Sequence, residues 1–163
     1  MKLKNDKDLS ISTKIAQALH FSDPETGSVV PSIDHSATYS RDENYEPRQA
    51  YWYRRDGNKT TQLAEEIISE LENANASLLF SSGMSACTAV LEMLPAEAQI
   101  AVPRVMYHGV LGQIQNFASK NRIRVDYYEA GDLASMESVI KNGVTQLVWV
   151  ETPNNPNWEV TDI

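Results

Sequence analysis

Short apolar runs alternate with amphipathic segments between residues 60 and 151, and this alternation constrains the fold more than any other feature of the sequence. The apolar runs have the length of strands, and segments with helical spacing of apolar residues separate them. They lie at 77–80, 99–102, 123–128 and 145–151. Strands that alternate with helices require right-handed crossovers and form a largely parallel sheet. The sequence therefore predicts an α/β fold with four strand segments.

Apolar residues with helical spacing predict the helices. Leu63, Ile67 and Leu71 recur every four residues, which predicts a helix with one buried face, capped by Thr60 or Thr61. Further helices are predicted over 12–20, 83–94 and 107–120, and after the capping residue Asp132.

Residues 21–59 show little periodicity and contain many turn formers, such as Asp56-Gly57. An aperiodic stretch of this length is unusual inside a compact domain. We therefore interpret residues 1–59 as an extended N-terminal arm that lies on another subunit or lines a site, and residues 60–163 as the α/β domain. Four strand segments are few for a sheet covered on both faces, so this domain is either small or part of a longer chain.

Composition and charge narrow the class of protein. The formal net charge of −8 disfavours nucleic acid and anionic membranes as partners, because both attract basic surfaces. No stretch approaches the length of a membrane span, and the N-terminus lacks the apolar core of a signal peptide. The single cysteine, Cys87, indicates a reducing compartment and a core-filling role. We predict a cytoplasmic protein without a metal site, since the three histidines lack ligand spacing.

The segment LLFSSGMSA, residues 78–86, places two serines and a glycine where a strand meets a helix. One interpretation is a tight turn in which serine caps the helix. The other is a phosphate site, because unpaired N–H groups at a helix N-terminus and a glycine allow an anion to approach the backbone. Neither the dinucleotide fingerprint G-x-G-x-x-G nor the G-K-[ST] of a Walker loop is present.

Three other segments combine aromatic, basic or amide side chains with turns. They are AYWYRRDGNKTT at 50–61, Tyr107-His108-Gly109, and Glu151 to Pro156. Structural interpretations remain open for each: a packed aromatic loop, a tyrosine at the edge of the core and a rigid proline turn. Each segment nevertheless follows a predicted strand or lies in the arm. Because the carboxyl ends of parallel strands share one edge of the sheet, together they favour a ligand site there.

Together these motifs resemble the Cys/Met-metabolism enzymes that depend on pyridoxal phosphate, the group of the cystathionine synthases and lyases, methionine γ-lyase and homoserine sulfhydrylases. The resemblance runs from about residue 13 to residue 163. The matching segments are TGSVVPSIDHSATY at 26–39, Tyr53 to Arg55, Gly57 to Thr60, Ser82 to Ala86, Tyr107, and Glu151 to Pro156. It implies part of the large cofactor-binding domain of the fold type I, aminotransferase-like enzymes, truncated, with helices on both faces of the sheet.

The resemblance also implies roles for individual residues. Ser82, Gly83 and Met84 are expected to hold the cofactor phosphate of pyridoxal 5'-phosphate. Tyr107 is expected to stack on the pyridine ring and to act in proton transfer. Asn155 is expected near a cofactor oxygen and the substrate carboxylate.

In the family the arm reaches a neighbouring subunit. Tyr53 and Arg55 are therefore expected to bind the phosphate of another copy, which implies a homo-oligomer, a dimer of dimers in the complete protein. Two residues depart from the family pattern, because Lys59 replaces a proline and Asp56 follows Arg55.

The family's Schiff-base lysine, in an S-x-T-K context, and its ring-nitrogen aspartate are expected after Ile163. Ser12-Thr13-Lys14 is a look-alike in the arm, and a nucleophilic lysine requires a desolvated pocket. We therefore expect the N-terminal part of a transsulfuration-type enzyme acting on a small amino-acid substrate, inactive by itself. The alternatives are a non-catalytic fragment that regulates a full-length paralogue and an unrelated α/β domain that binds a phosphorylated metabolite.

Overall fold

The computed structural model describes residues 10–163, and the chain divides into two compact units between Leu79 and Phe80. The predicted boundary between residues 59 and 60 concerns the domains of the complete protein and stays a prediction. The first nine residues of the predicted arm lie outside the described residues.

The first unit contains two helices, α1 (Ile11–Ala16) and α2 (Lys59–Leu71). The predicted helix over 12–20 is wrong in its length. Ala18, Leu19 and His20 have φ angles of 43°, 57° and 59°. These angles lie in the left-handed region, so a right-handed helix cannot continue through them.

Asn58 is the N-cap of α2, so the prediction of a threonine cap is wrong. The Asn58 side chain is 2% exposed, and its Oδ1 accepts a hydrogen bond from the Thr61 N–H at 2.8 Å. The Thr60 hydroxyl has a different use, since it accepts the Asp34 N–H at 2.8 Å. Asparagine is a favoured N-cap, so the G-N-x-T motif has a structural role in starting this helix.

The described part of the arm pairs with itself. The Arg54 N–H donates to the Ala37 carbonyl at 2.9 Å, and Thr38 and Tyr53 form an antiparallel bridge. These contacts hold the backbone around Tyr53 although the sequence there lacks any regular period.

The strand predicted over residues 77–80 is wrong, because this segment has no neighbouring strand among the described residues. The Leu79 N–H instead donates to the Glu65 carboxylate at 2.9 Å, and Leu78 is 74% exposed. An apolar segment becomes a strand only where a partner supplies the ladder of hydrogen bonds.

The second unit alternates helices and strands, as predicted. Its elements are α3 (Gly83–Glu92), β1 (Ala98–Pro103), α4 (His108–Ser119), β2 (Ile123–Tyr128), α5 (Leu133–Val139) and β3 (Thr145–Val148). The strands form a parallel sheet in the order β2-β1-β3, which confirms the α/β class. Strand β3 is shorter than the predicted 145–151, because the chain leaves the sheet after the Trp149 N–H donates to Ala101 at 2.8 Å.

Strand β1 lies in the middle of the sheet and of the core. Ile100 and Val102 on β1 and Ile114 on α4 are fully buried. Each such side chain contributes about 1.5–3 kcal/mol through removal of apolar surface from water. Cys87 packs, partly buried, against the same cluster. Because the core fixes β1, it also fixes the loop after Pro103, where the candidate site begins.

Tyr128, at the end of β2, provides a test of this core. Its ring is 1% exposed, and its hydroxyl donates to the Trp149 carbonyl at 2.6 Å. Tyr128→Phe is expected to lower the free energy of unfolding of the second unit by about 1 kcal/mol at neutral pH, because the carbonyl loses its donor.

The same substitution has a signed pH dependence. Burial raises the pKa of Tyr128, so only the unfolded chain ionises this tyrosine near its ordinary pKa. The contribution of Tyr128 is therefore complete below about pH 10 and is lost as the pH rises above it. Urea titrations between pH 8 and pH 11 should show that the difference in free energy of unfolding between wild type and the phenylalanine variant shrinks as the pH rises. A constant or growing difference would contradict this account.

Candidate functional site

The N-terminus of α3 presents two backbone donors to open space. Ser82 is the N-cap, and its hydroxyl oxygen accepts the Ser85 N–H at 3.1 Å while its carbonyl accepts the Ala86 N–H at 3.2 Å. Within residues 10–163 the N–H groups of Gly83 and Met84 have no acceptor. A Cβ built on Gly83 would meet no atom within 4 Å. This end of α3 has the donors, the dipole and the space that an anion requires.

Tyr107 lies beside this turn, at the start of α4. Its side chain is 38% exposed. A Cβ built on Gly109 would lie 2.8 Å from Cε1 of Tyr107 and 3.1 Å from Sδ of Met84. The tyrosine ring and the methionine side chain therefore both pack close over Gly109, and a larger residue there would force one of them to move. Met84 and Tyr107, two of the predicted site residues, thus lie on the same side of this glycine.

Glu151 joins Tyr107 to Asn155. Its Oε1 and Oε2 atoms accept the Tyr107 N–H at 3.1 and 3.0 Å, and Oε1 also accepts the Asn155 N–H at 2.7 Å. Asn155 itself is exposed. The turn after β3 and the start of α4 are therefore held to each other at the carboxyl edge of the sheet.

Asn154 makes a second connection between the same two segments. It is 2% exposed, and its Nδ2 donates to the Val105 carbonyl at 3.3 Å and to the Glu159 carboxylate at 2.8 Å. Its Oδ1 accepts the Glu159 N–H at 3.0 Å. The buried amide thus closes the turn and fixes it to the loop after β1.

The remaining predicted residues, Tyr53 and Arg55, lie in the first unit. Tyr53 is 39% exposed, and the Arg55 guanidinium carbon lies 5.3 Å from the centre of its ring. This arrangement gives a cation–π contact at the surface and leaves the guanidinium donors available to an anion. The structure therefore pairs Tyr53 with Arg55, and it groups the other predicted residues in the second unit.

Glu151 and Asn154 are site residues that the sequence does not single out. Both belong to the E-T-P-N-N-P segment, in which the resemblance indicates only Asn155. The signal for them is chemical, because a carboxylate and an amide in a turn next to the sheet need hydrogen-bond partners where they turn inward.

Lys14, the look-alike of the family's lysine, lies in α1 and forms an ion pair with Glu70 in the first unit. Across residues 10–163, no group of three or more His, Cys, Asp or Glu side chains is arranged to hold a metal ion. None of the helices in that range combines the length and apolar character that a bilayer span requires.

Comparison with known proteins agrees with this geometry. Residues 12–163 match the family described as Cys/Met metabolism PLP-dependent enzyme. The chloroplastic mimosinase of Leucaena leucocephala is 36% identical over 97% of this chain and 35% of its own length. The cystathionine beta-lyase of Lactococcus lactis subsp. cremoris is 31% identical over 94% of this chain and 40% of its own length.

Solved structures show the same similarity. The cystathionine gamma synthase of Xanthomonas oryzae pv. oryzae, solved in complex with cystathionine, superimposes with a TM-score of 0.85 at 29% identity. The superposition covers 94% of this chain and 40% of the synthase chain. The metB structure from Corynebacterium glutamicum gives a TM-score of 0.86 at 29% identity, with 95% and 40% of the two chains covered.

The chain thus spans between 35% and 40% of the lengths of these four relatives. The match includes almost all of the described residues and the parallel sheet that carries the candidate site. The chain belongs to the Cys/Met metabolism family of PLP-dependent enzymes, whose cofactor is pyridoxal 5'-phosphate, and has the α/β fold of fold type I.

Proposed function

We propose that this chain is the N-terminal part of a transsulfuration-type enzyme, one that eliminates or replaces a group at the β or γ carbon of a sulfur amino acid or a homoserine ester. The activity is proposed for the complete protein. We expect these 163 residues by themselves to be inactive and to bind the cofactor weakly, through its phosphate. The parent enzyme is proposed to be cytoplasmic and a dimer of dimers.

The observation that carries this proposal is the pair of N–H groups at Gly83 and Met84, which have no acceptor among the described residues and lie near the partly exposed ring of Tyr107. The donor set fits the cofactor, because a phosphate needs convergent N–H groups and a planar pyridine ring needs a flat aromatic neighbour. When bound, pyridoxal phosphate supplies an electron sink for carbanion chemistry.

The residues of this chain supply binding and orientation. The Gly83 and Met84 N–H groups bind the phosphate oxygens, and the Ser82 hydroxyl, which shares a hydrogen bond of 2.9 Å with Ser85, keeps the first turn of α3 in place. The Tyr107 ring would stack on the pyridine, and its hydroxyl would act in proton transfer. The Asn155 amide would donate to a cofactor oxygen or to the substrate carboxylate.

Tyr53 and Arg55 are proposed to act on a neighbouring copy. Their exposed cation–π pair offers a charged, forked donor without a carboxylate bonded to it among the described residues. Such a group suits a phosphate supplied by another subunit.

The test uses the 163-residue chain and three probes: pyridoxal phosphate, inorganic phosphate and phosphate-free pyridoxal. Amide signals in ¹⁵N–¹H spectra are followed during each titration. We expect the Gly83 and Met84 signals to move with the two phosphate-bearing probes and to stay in place with pyridoxal. Movement confined to other segments, or equal movement with pyridoxal, would contradict a phosphate site at α3.

A further inference from the structure

Helix α4 lacks a cap from its own sequence. Tyr107 occupies the N-cap position, and its side chain makes no capping hydrogen bond. The N–H of Tyr107 itself has an acceptor 44 residues along the chain, in the turn after β3, where both carboxylate oxygens of Glu151 face it. A carboxylate here also complements the positive end of the helix dipole.

The same carboxylate fixes a second site residue. Its Oε1 accepts the Asn155 N–H at 2.7 Å, the shorter of the two bonds to that oxygen. Glu151 therefore binds the backbone of the residue proposed to stack on the cofactor ring and the backbone of the residue proposed to reach its oxygen. Without it, the hydrogen bond of Asn154 with the Val105 carbonyl would still join the two segments, but neither the Tyr107 N–H nor the Asn155 N–H would be held directly.

We propose that Glu151 is a positioning residue that sets the Tyr107 ring and the Asn155 amide in one fixed arrangement for the cofactor ring. Its importance for binding rests on the proposed function, whereas its effect on the Tyr107 ring is a property of the chain alone. Nothing in this role requires Glu151 to touch the cofactor.

The chemistry predicts an order among variants. A carboxylate is acceptor-only, so both oxygens serve N–H groups. Glutamine keeps one oxygen, which still reaches both N–H groups, but its NH₂ replaces the second acceptor. Alanine removes all three contacts, so the displacement of Tyr107 should increase from wild type through Glu151→Gln to Glu151→Ala.

The packing over Gly109 supplies a direct readout. Because Sδ of Met84 and the Tyr107 ring both lie close to the same point over Gly109, the ¹³C-methyl signal of Met84 should sense the position of the ring. Met93 is 85% exposed and gives an internal reference. Glu129→Gln is the matched control, because Glu129 also lies close after a strand of the sheet, directly after β2, but its carboxylate pairs with the Arg104 side chain at 2.8 Å.

We expect the Met84 methyl signal to move toward the position of Met93 in Glu151→Ala, to move part of the way in Glu151→Gln, and to stay in place in Glu129→Gln. If the alanine variant fails to fold, the glutamine variant decides. An unchanged Met84 signal in a folded Glu151 variant would overturn the proposal, as would an equal change in the Glu129 control.

A second measurement separates this proposal from the proposed function. Glu151→Gln should weaken pyridoxal phosphate binding several-fold and leave inorganic phosphate binding unchanged, because the hydrogen bonds of Glu151 in the described part of the chain go to Tyr107 and Asn155 and not to Gly83 or Met84. Equal weakening of both probes would contradict positioning of the ring alone. If the wild-type chain binds neither probe, the proposal of a phosphate site at α3 is contradicted. The Met84 methyl signal still tests the role of Glu151 in that case.

Discussion

Asn154→Ala is expected to lower the free energy of unfolding of the second unit by about 2–4 kcal/mol. The Asn154 side chain is 2% exposed and makes three hydrogen bonds, two as donor and one as acceptor. Alanine leaves the Val105 carbonyl, the Glu159 carboxylate and the Glu159 N–H without these partners, and each hydrogen bond lost contributes about 0.5–1.5 kcal/mol, more where a charged group takes part.

Urea titrations followed through the amide signals of β1 measure this change. Asn157→Ala is the matched control, because Asn157 lies in the same turn but is exposed, and it should change the stability by less than about 0.5 kcal/mol. The structural account of the turn would be contradicted if Asn154→Ala were as stable as the Asn157 variant.

The same substitution should also change the structure of the candidate site. Asn154 holds the turn that carries Asn155 to the loop that leads to Tyr107. We therefore expect the amide signals of Tyr107 and Asn155 to change in Asn154→Ala under conditions where the second unit is folded.

Local patterns predicted the second unit well where a single element determines its own burial. Val110, Ile114 and Phe117 recur with helical spacing, and all three are buried on α4. The apolar run at 99–102 became the buried central strand β1. Periodicity indicates which face of an element avoids water, so it predicts correctly a helix that packs one face on the core.

Partners distant in sequence could not be predicted in this way. Residues 77–80 have strand composition, but a strand also requires a neighbour, and composition carries no information on that neighbour. The contacts of Glu151 with Tyr107 and of Asn154 with Val105 join residues 44 and 49 positions apart. The motif indicated a polar turn, whereas only the three-dimensional arrangement shows what each side chain binds.

Gly83→Pro is expected to weaken phosphate binding about 10- to 100-fold, which corresponds to one charge-assisted hydrogen bond of about 1.5–3 kcal/mol. Proline has no N–H, so the variant removes one of the two donors proposed to hold the phosphate. The effect on affinity is the largest that a single backbone change in this site is expected to produce.

The helix itself should tolerate this change. Gly83 is the first residue of α3, the position where proline is favoured. The preceding residue, Ser82, has φ −157° and ψ 156°, the extended conformation that a following proline requires. A side chain on Gly83 also meets open space.

Gly83→Ala is the matched control, because alanine adds a methyl group in the same place and keeps the N–H. It should bind phosphate within about threefold of wild type and stabilise α3 slightly, since alanine loses less backbone entropy than glycine. Circular dichroism of both variants checks that the helix content is equal.

The most direct test of the central claim is therefore the affinity of wild type, Gly83→Ala and Gly83→Pro for pyridoxal phosphate, measured from the shift of the Met84 amide signal. The account predicts similar affinities for wild type and the alanine variant, and a loss of about 10- to 100-fold for the proline variant. Equal affinity of the proline variant and the alanine variant would contradict a cofactor phosphate held by the N-terminus of α3.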